Sequence, residues 1–211
     1  MVIENVNQIG LTLNQLFQDS KNDGFKIMKG FAKSAFRSIQ PRDFSDVYLS
    51  ITKEQGEDLV RLIKQRKLKN VVEFGTSFGI STLYLAQGVL ETQGHIITTE
   101  LIESKAQKAI ENFKNAGVNN LIELRVGDAM ETLKNHAEPI DLLLLDGWKD
   151  LYLPLFEMLE PNFHSDTLVY VDNAEMPETK AFLKTISQSN KYQFQSKFGN
   201  KAVLVSKANT L

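Results

Sequence analysis

From residue 70 onward the apolar positions of this chain alternate between two periods. Runs such as 142–145 and 168–171 are continuously apolar and have the length of buried strands. The longer stretches between such runs repeat apolar residues at helical spacing. The spacing predicts strands over 70–74, 95–100, 121–126, 140–145, 167–171, 192–197 and 201–206. It predicts helices over 80–91, 104–116, 129–136, 149–158 and 177–187. Strand–helix alternation with turn residues at the joins implies a mostly parallel sheet covered by helices on both faces. Only Phe198, Gly199 and Asn200 separate the last two strands, which makes them a hairpin with one antiparallel member. The predicted fold is α/β: a doubly wound, Rossmann-like, seven-stranded mixed sheet whose last strand is antiparallel. Right-handed crossovers then place ligands beyond the C-terminal ends of the strands.

Ahead of this core, residues 4–39 read as helix. Phe25, Met28, Phe31 or Ala32, Ala35 or Phe36, and Ile39 recur at helical spacing, with Lys26, Lys29, Lys33 and Arg37 on the polar side and Pro41 as the stop. A basic amphipathic helix suits membrane or nucleic-acid contact, but packing on its own domain is the commoner use. A further helix is predicted over 53–66, with Thr52 as N-cap and Gln55 three residues on. The chain is expected to form one domain, with 1–49 as a helical lid over the site and 50–211 as the core. Phe25, Met28 and Phe31 are candidates to line an acceptor pocket under that lid, against the alternative of core packing.

Composition narrows the chemistry more than the fold. At 211 residues there is length for one domain with a substantial core. The absence of cysteine excludes disulfides, thiolate catalysis and cysteine-ligated zinc, and His95, His136 and His164 are too scattered to form a metal spacing. A net charge of -2 does not call for a nucleic-acid partner. No apolar run approaches the ~20 residues needed to span a bilayer. The N-terminal sequence has neither the basic start nor the apolar core of a secretory leader, so a cytoplasmic protein is expected. After Glu178 there is no acidic residue, while Lys180, Lys184, Lys191, Lys197, Lys201 and Lys207 follow. A solvated surface balanced by acids elsewhere is the ordinary reading; attraction of an anionic substrate is the sharper one.

The segment VVEFGTSFGIS, residues 71–81, is a strand, a glycine-containing turn and the start of a helix. Gly75 and Gly79 let the backbone turn sharply and approach a ligand, and the helix aims its first amides at the same place. The next strand, HIITTE, closes on Glu100, an acid placed to accept hydrogen bonds from both hydroxyls of a ribose. The plain alternative is an ordinary turn and a surface glutamate. A nicotinamide enzyme would carry G-x-G-x-x-G here, whereas this chain has E-F-G-x-x-x-G.

Two apolar runs end on oxygen-bearing side chains: IDLLLLDGWKD on Asp146, and LVYVDN on Asp172 and Asn173. If these strands are neighbours their ends lie about 4.8 Å apart, close enough for three side-chain oxygens to converge on one cation. Two carboxylates and an amide, without His or Cys, favour Mg²⁺, Mn²⁺ or Ca²⁺ over zinc and leave positions open for water and substrate. Singly, Asp146 reads as a helix cap and Asp172–Asn173 as an Asx turn. Together, with Lys149 one helical turn from Asp146, they read better as a metal site.

The E-F-G-x-x-x-G turn with its following acid resembles class I S-adenosylmethionine-dependent methyltransferases. That resemblance implies that Glu73, Gly75 and Ser81 lie along the methionine moiety and that Glu100 holds the ribose. It also implies that Asp128 and Ala129 of the GDA segment contact the adenine, with Trp148 packed on it and Asp146 bordering the cofactor. DLLLLDGWKDLYLP and LVYVDN resemble the matching segments of metal-dependent catechol O-methyltransferases, and more loosely those of caffeoyl-CoA O-methyltransferases. The likeness runs over roughly residues 50–180. It implies Mg²⁺ on Asp146, Asp172 and Asn173, Lys149 as general base, and a small aromatic acceptor with two adjacent hydroxyls. Such hydroxyls would chelate the cation, which fixes their orientation and eases their ionisation. Monomers and homodimers both occur among such proteins, and the sequence does not choose.

Two positions depart from the family pattern. Gly147 stands where catechol enzymes carry a larger side chain before the tryptophan, which removes one adenine contact. The late carboxylate that holds the second hydroxyl has no counterpart after Glu178, so its role is vacant or falls to an amide such as Asn200. A substrate with its own carboxylate or phosphate would suit the lysine-rich tail. Three other readings compete. They are a methyltransferase with a different small acceptor and a vestigial metal site, a cofactor-binding protein without catalysis, and, least suited to the glycines, a dinucleotide oxidoreductase.

Overall fold

The structure is a computed structural model, and it describes residues 2–21, 40, 43, 47 and 50–208. Phe25, Met28 and Phe31, their basic neighbours, Pro41 and most of the expected lid lie outside the described residues. The first helix, α1 (Val2–Ser20), stops well short of residue 39. Its end is polar: the Ser20 hydroxyl donates to the Phe17 carbonyl, and Lys21 N–H closes a turn onto Gln18 O.

The remaining elements run α2 (Lys53–Arg66), β1 (Asn70–Phe74), α3 (Ile80–Thr92), β2 (His95–Glu100), α4 (Glu103–Asn115) and β3 (Ile122–Val126). Then follow α5 (Ala129–Thr132), β4 (Ile140–Leu145), α6 (Tyr152–Leu159), β5 (Phe163–Asp172), α7 (Pro177–Ser187), β6 (Tyr192–Lys197) and β7 (Ala202–Lys207). The seven strands form one sheet in the order β3-β2-β1-β4-β5-β7-β6. All neighbours are parallel except β7, which inserts between β5 and β6 and runs against both. The α/β, doubly wound arrangement with its antiparallel last strand is as the hydrophobic pattern predicts.

Leu142 to Leu145 are completely buried, because β4 has helices on both faces and cannot alternate polar with apolar. One face carries α1 to α4 over Leu142 and Leu144; the other carries α5 to α7 over Leu143 and Leu145. Three boundaries differ from expectation by three residues or more. Strand β5 starts at Phe163 instead of 167. Helix α5 closes after Thr132, a single turn. Regular helix α6 begins only at Tyr152, after a 3-10 turn over Lys149–Leu151. Pro154 explains the last, since a proline is tolerated only in the first turn of a helix.

At the opposite end of the sheet from the strand C-termini, Asp141 ties three strands. Its Oδ2 accepts from the amides of Lys69 (2.7 Å) and Asn70 (2.9 Å), and its Oδ1 lies 2.8 Å from His164 Nε2. Burial raises the pKa of Asp141, but the two amides and His164 outweigh it and hold the carboxyl below the usual aspartate range. The linked stability is therefore complete above the unfolded value near ~4 and is lost as pH falls through the depressed folded value. Asp141→Asn is expected to cost about 1.5–3 kcal/mol at pH 7, the worth of a hydrogen bond to a charged group. Urea titrations at pH 7 and pH 3 check this: the gap between wild type and variant should narrow at the lower pH.

Candidate active site

The sheet reverses its winding between β1 and β4, and open α/β sheets bind ligands at such a point, beyond the C-terminal ends of the strands. The β1 loop is built by glycine. Gly75 has φ +105, and a Cβ there would sit 2.8 Å from the backbone of Asp146 and Gly147. Gly79, with φ +90, caps α3 where a Cβ would strike the Phe113 ring at 2.5 Å. The Gly75 and Thr76 amides both donate to Thr99 O, which fastens this loop to β2.

Glu73 is fully buried beneath the loop. Its Oε2 accepts from Thr82 Oγ1 at 2.5 Å and Thr98 Oγ1 at 2.6 Å, and its Oε1 has no partner among the described residues. Burial pushes the Glu73 carboxyl up, against the pull of the Ser81, Thr82 and Thr98 hydroxyls. A buried acceptor with a free oxygen is suited to a cationic donor such as an α-ammonium group. Glu100, also buried, receives Ser77 N–H at 2.8 Å on Oε2 and Ile102 N–H at 2.9 Å on Oε1. The acid expected at the ribose thus also pins the turns on either side of it. Nearby, buried Lys105 donates to Val47 O at 3.1 Å and Ser77 Oγ at 3.4 Å, with its Nζ 5.2 Å from the Phe78 ring centre. Asp128 Oδ1 accepts from Met130 N–H and caps α5, so this oxygen is held locally, beside buried Ala129. Trp148 packs partly buried on the α5–α7 side, with Nε1 donating to Asp150 Oδ2 at 3.2 Å.

Gly147 has a structural cause. A Cβ there would meet the Phe74 ring at 2.5 Å, so the larger residue found in catechol enzymes does not fit beside this phenylalanine.

Beside this loop, β4 and β5 are paired with Leu145 opposite Val171, which brings Asp146 and Asp172 side by side. They are close enough for the charge of Asp172 to act on Asp146. Burial first, and then the charge of Asp172, push Asp146 well above the usual carboxylate range, and Lys149 offsets this only in part. Asn173 follows with φ +53, a left-handed conformation that asparagine tolerates and that turns the chain sharply at the end of β5. Among the described residues no three His, Cys, Asp or Glu side chains cluster as metal ligands; this donor set is two carboxylates and an amide. Asp172 is buried and Asp146 largely so, and two carboxyl groups and an amide at adjacent strand ends are hard oxygen donors that fit Mg²⁺ or a related cation. Lys149 Nζ donates to Gly147 O at 2.8 Å, lies 3.8 Å from Asp146 Oδ1 and sits 5.6 Å from the Tyr152 ring centre.

The β6–β7 turn borders the same place, since Ala174 N–H donates to Lys201 O. Asn200, the candidate substitute for the late carboxylate, accepts a short hydrogen bond from Ser196 Oγ within the turn. Lys197 is committed to Asp58 of α2 at 2.8 Å, and Lys191 to Glu160 at 3.3 Å. Acids from earlier in the chain therefore balance Lys191 and Lys197. Sequence reasoning missed Thr82, Thr98 and Lys105. Thr82 was adjacent to a residue already singled out, but nothing local marked the other two.

A family model described as O-methyltransferase matches residues 12–202. The chain belongs to the O-methyltransferase family. Among curated relatives, a catechol O-methyltransferase of Niastella koreensis is 30% identical over 129 residues, covering 59% of this chain and 58% of its own. A catechol O-methyltransferase of Mycobacterium tuberculosis is 31% identical over 126 residues, covering 59% and 57%. The chain thus spans under three fifths of the length of these relatives. Among solved structures, the O-methyltransferase from Bacillus cereus in complex with SAH superposes with a TM-score of 0.69 at 19% identity, covering 86% of this chain and 97% of that one. This likeness is one of fold. Among the described residues no helix is long and apolar enough to cross a membrane.

Proposed function

We propose that this O-methyltransferase family member transfers a methyl group from S-adenosylmethionine to one hydroxyl of a small vicinal diphenol, with Mg²⁺ held by Asp146, Asp172 and Asn173. The observation that carries the reading is the Asp146–Asp172 pair at adjacent strand ends with Lys149 on its edge, directly beside the glycine loop of β1. Glu73 and Ser81 would receive the methionine end of the cofactor, and Glu100 its ribose. Ala129, Asp128 and Trp148 would flank the adenine. When bound, the cofactor supplies an electrophilic methyl on sulfur, and the cation supplies Lewis acidity towards two adjacent hydroxyls.

The chain's own groups do the rest. Lys149 Nζ takes the phenolic proton. The cofactor, held by Glu73, Ser81 and Glu100, would supply the methyl carbon to that oxygen, and its sulfur would keep the bonding electron pair. Transfer would neutralise positive charge on sulfur, so holding donor and acceptor in line would provide much of the rate. The apolar wall of Phe74, Tyr152 and Phe182 rings excludes water from the side of Lys149.

A methyl-transfer screen over catechols, caffeoyl derivatives and flavonoids, with Mg²⁺ or with EDTA, tests this reading. Turnover of at least one vicinal diol that EDTA abolishes and Mg²⁺ restores is expected. Turnover insensitive to EDTA would move the assignment to a metal-independent methyltransferase.

A further inference from the structure

Helix α2 reaches the acidic pair through one residue. Gln55 is 97% buried, and its amide spans two partners. Its Oε1 accepts Thr52 N–H at 2.9 Å, and its Nε2 donates to Asp172 Oδ1 at 2.5 Å. The first bond settles the orientation of the amide, because only the oxygen can accept from a backbone N–H. The nitrogen is then obliged to face Asp172. A glutamine that merely closed a capping box would leave this nitrogen towards water; here it is buried against a carboxylate 117 residues away in sequence.

We infer that Gln55 is a positioning residue for the acidic pair: it fixes the rotamer of Asp172 by holding one oxygen and leaves the other for a divalent cation shared with Asp146. The inference rests on the metal reading above. Outer groups that hydrogen-bond a ligating carboxylate orient it, and their loss typically weakens metal binding by about 10–100-fold. The neutrality of the amide matters as well, since it donates without adding charge to a site that already holds two acids. The contact also ties Asp172 to the first turn of α2 through the Thr52 cap.

Binding of Mn²⁺ to the cofactor-free protein, followed by electron paramagnetic resonance or calorimetry, gives the test without any assay of activity. Gln55→Met keeps the volume and loses the donor, and is expected to weaken Mn²⁺ by about 10–100-fold. Thr52→Ala weakens the same helix cap, since Thr52 Oγ1 accepts Gln55 N–H, but keeps the Gln55–Asp172 bond. It should bind Mn²⁺ as wild type does. Should Gln55→Met fail to fold, Gln55→Asn, whose amide is too short to span both partners, makes the same comparison. Equal Mn²⁺ affinity in wild type and the Gln55 variant, or equal losses in the Gln55 and Thr52 variants, overturns the positioning role while the metal site stands. A wild-type protein that binds no Mn²⁺ overturns the metal reading itself.

Discussion

Lys149→Met is expected to lower kcat by about 10²–10⁴-fold, the usual worth of a positioned general base, with S-adenosylmethionine affinity unchanged. The expectation follows from where the amine is held. Its Nζ is within 4 Å of Asp146 Oδ1, is anchored by the Gly147 carbonyl, and lies 5.6 Å from the Tyr152 ring centre. None of these contacts belongs to the glycine loop or to Glu100, so cofactor binding should not register the change. Lys149→Arg separates charge from basicity, because a guanidinium keeps the positive charge but does not give up its proton. If Lys149 accepts the phenolic proton, arginine is as poor as methionine in single-turnover assays. A near-normal rate with arginine would make Lys149 an electrostatic group instead, and a near-normal rate with methionine would remove it from the reaction.

Asp146→Asn should do two opposite things. It should remove the response to divalent metal and yet make the metal-free protein more stable. Burial and the charge of Asp172 both work against ionisation of Asp146, so an acid at this position carries a cost in the metal-free protein. An asparagine amide in its place would donate to Asp172 without that cost. Relief of strain at functional sites is commonly worth about 0.5–2 kcal/mol, or about 2–4 °C in Tm for each kcal/mol in a chain of this size. Thermal unfolding with EDTA and with excess Mg²⁺ measures both effects. Wild type should gain stability from the ion by mass action, and the variant should start higher and gain nothing. A variant less stable than wild type in EDTA would mean that the acid carries no such cost.

The sheet was legible because its strands are buried on both faces, so that β4 stands out as an unbroken run of leucine. The early half of β5 was not, since His164, Ser165 and Asp166 are polar and partly or wholly exposed before the strand enters the core. The residues placed at strand ends were visible for a related reason. An acid that abruptly closes an apolar run, as Asp146 and Asp172 do, is conspicuous in one dimension. Thr98 and Lys105 were invisible because their partners come from other elements, 20 to 60 residues away, and no local period marks them. Gln55 was half legible. Its role at the helix cap lies within three residues, whereas its contact with Asp172 exists only once α2 has docked. Gly147 shows the limit of comparing single positions: its meaning depends on Phe74, which lies 73 residues earlier and fills the space a side chain would need.

The close approach of Gly75 to the Asp146–Gly147 backbone has a thermodynamic consequence. With no room for even a methyl group between them, the loop that would cradle one ligand and the strand end that would grip the other cannot shift independently. They would behave as a single mechanical piece, and occupancy on one side would be felt on the other as a coupling free energy. Such coupling is reciprocal. Whatever factor a cation contributes to holding the methyl donor, the methyl donor returns in full to the cation.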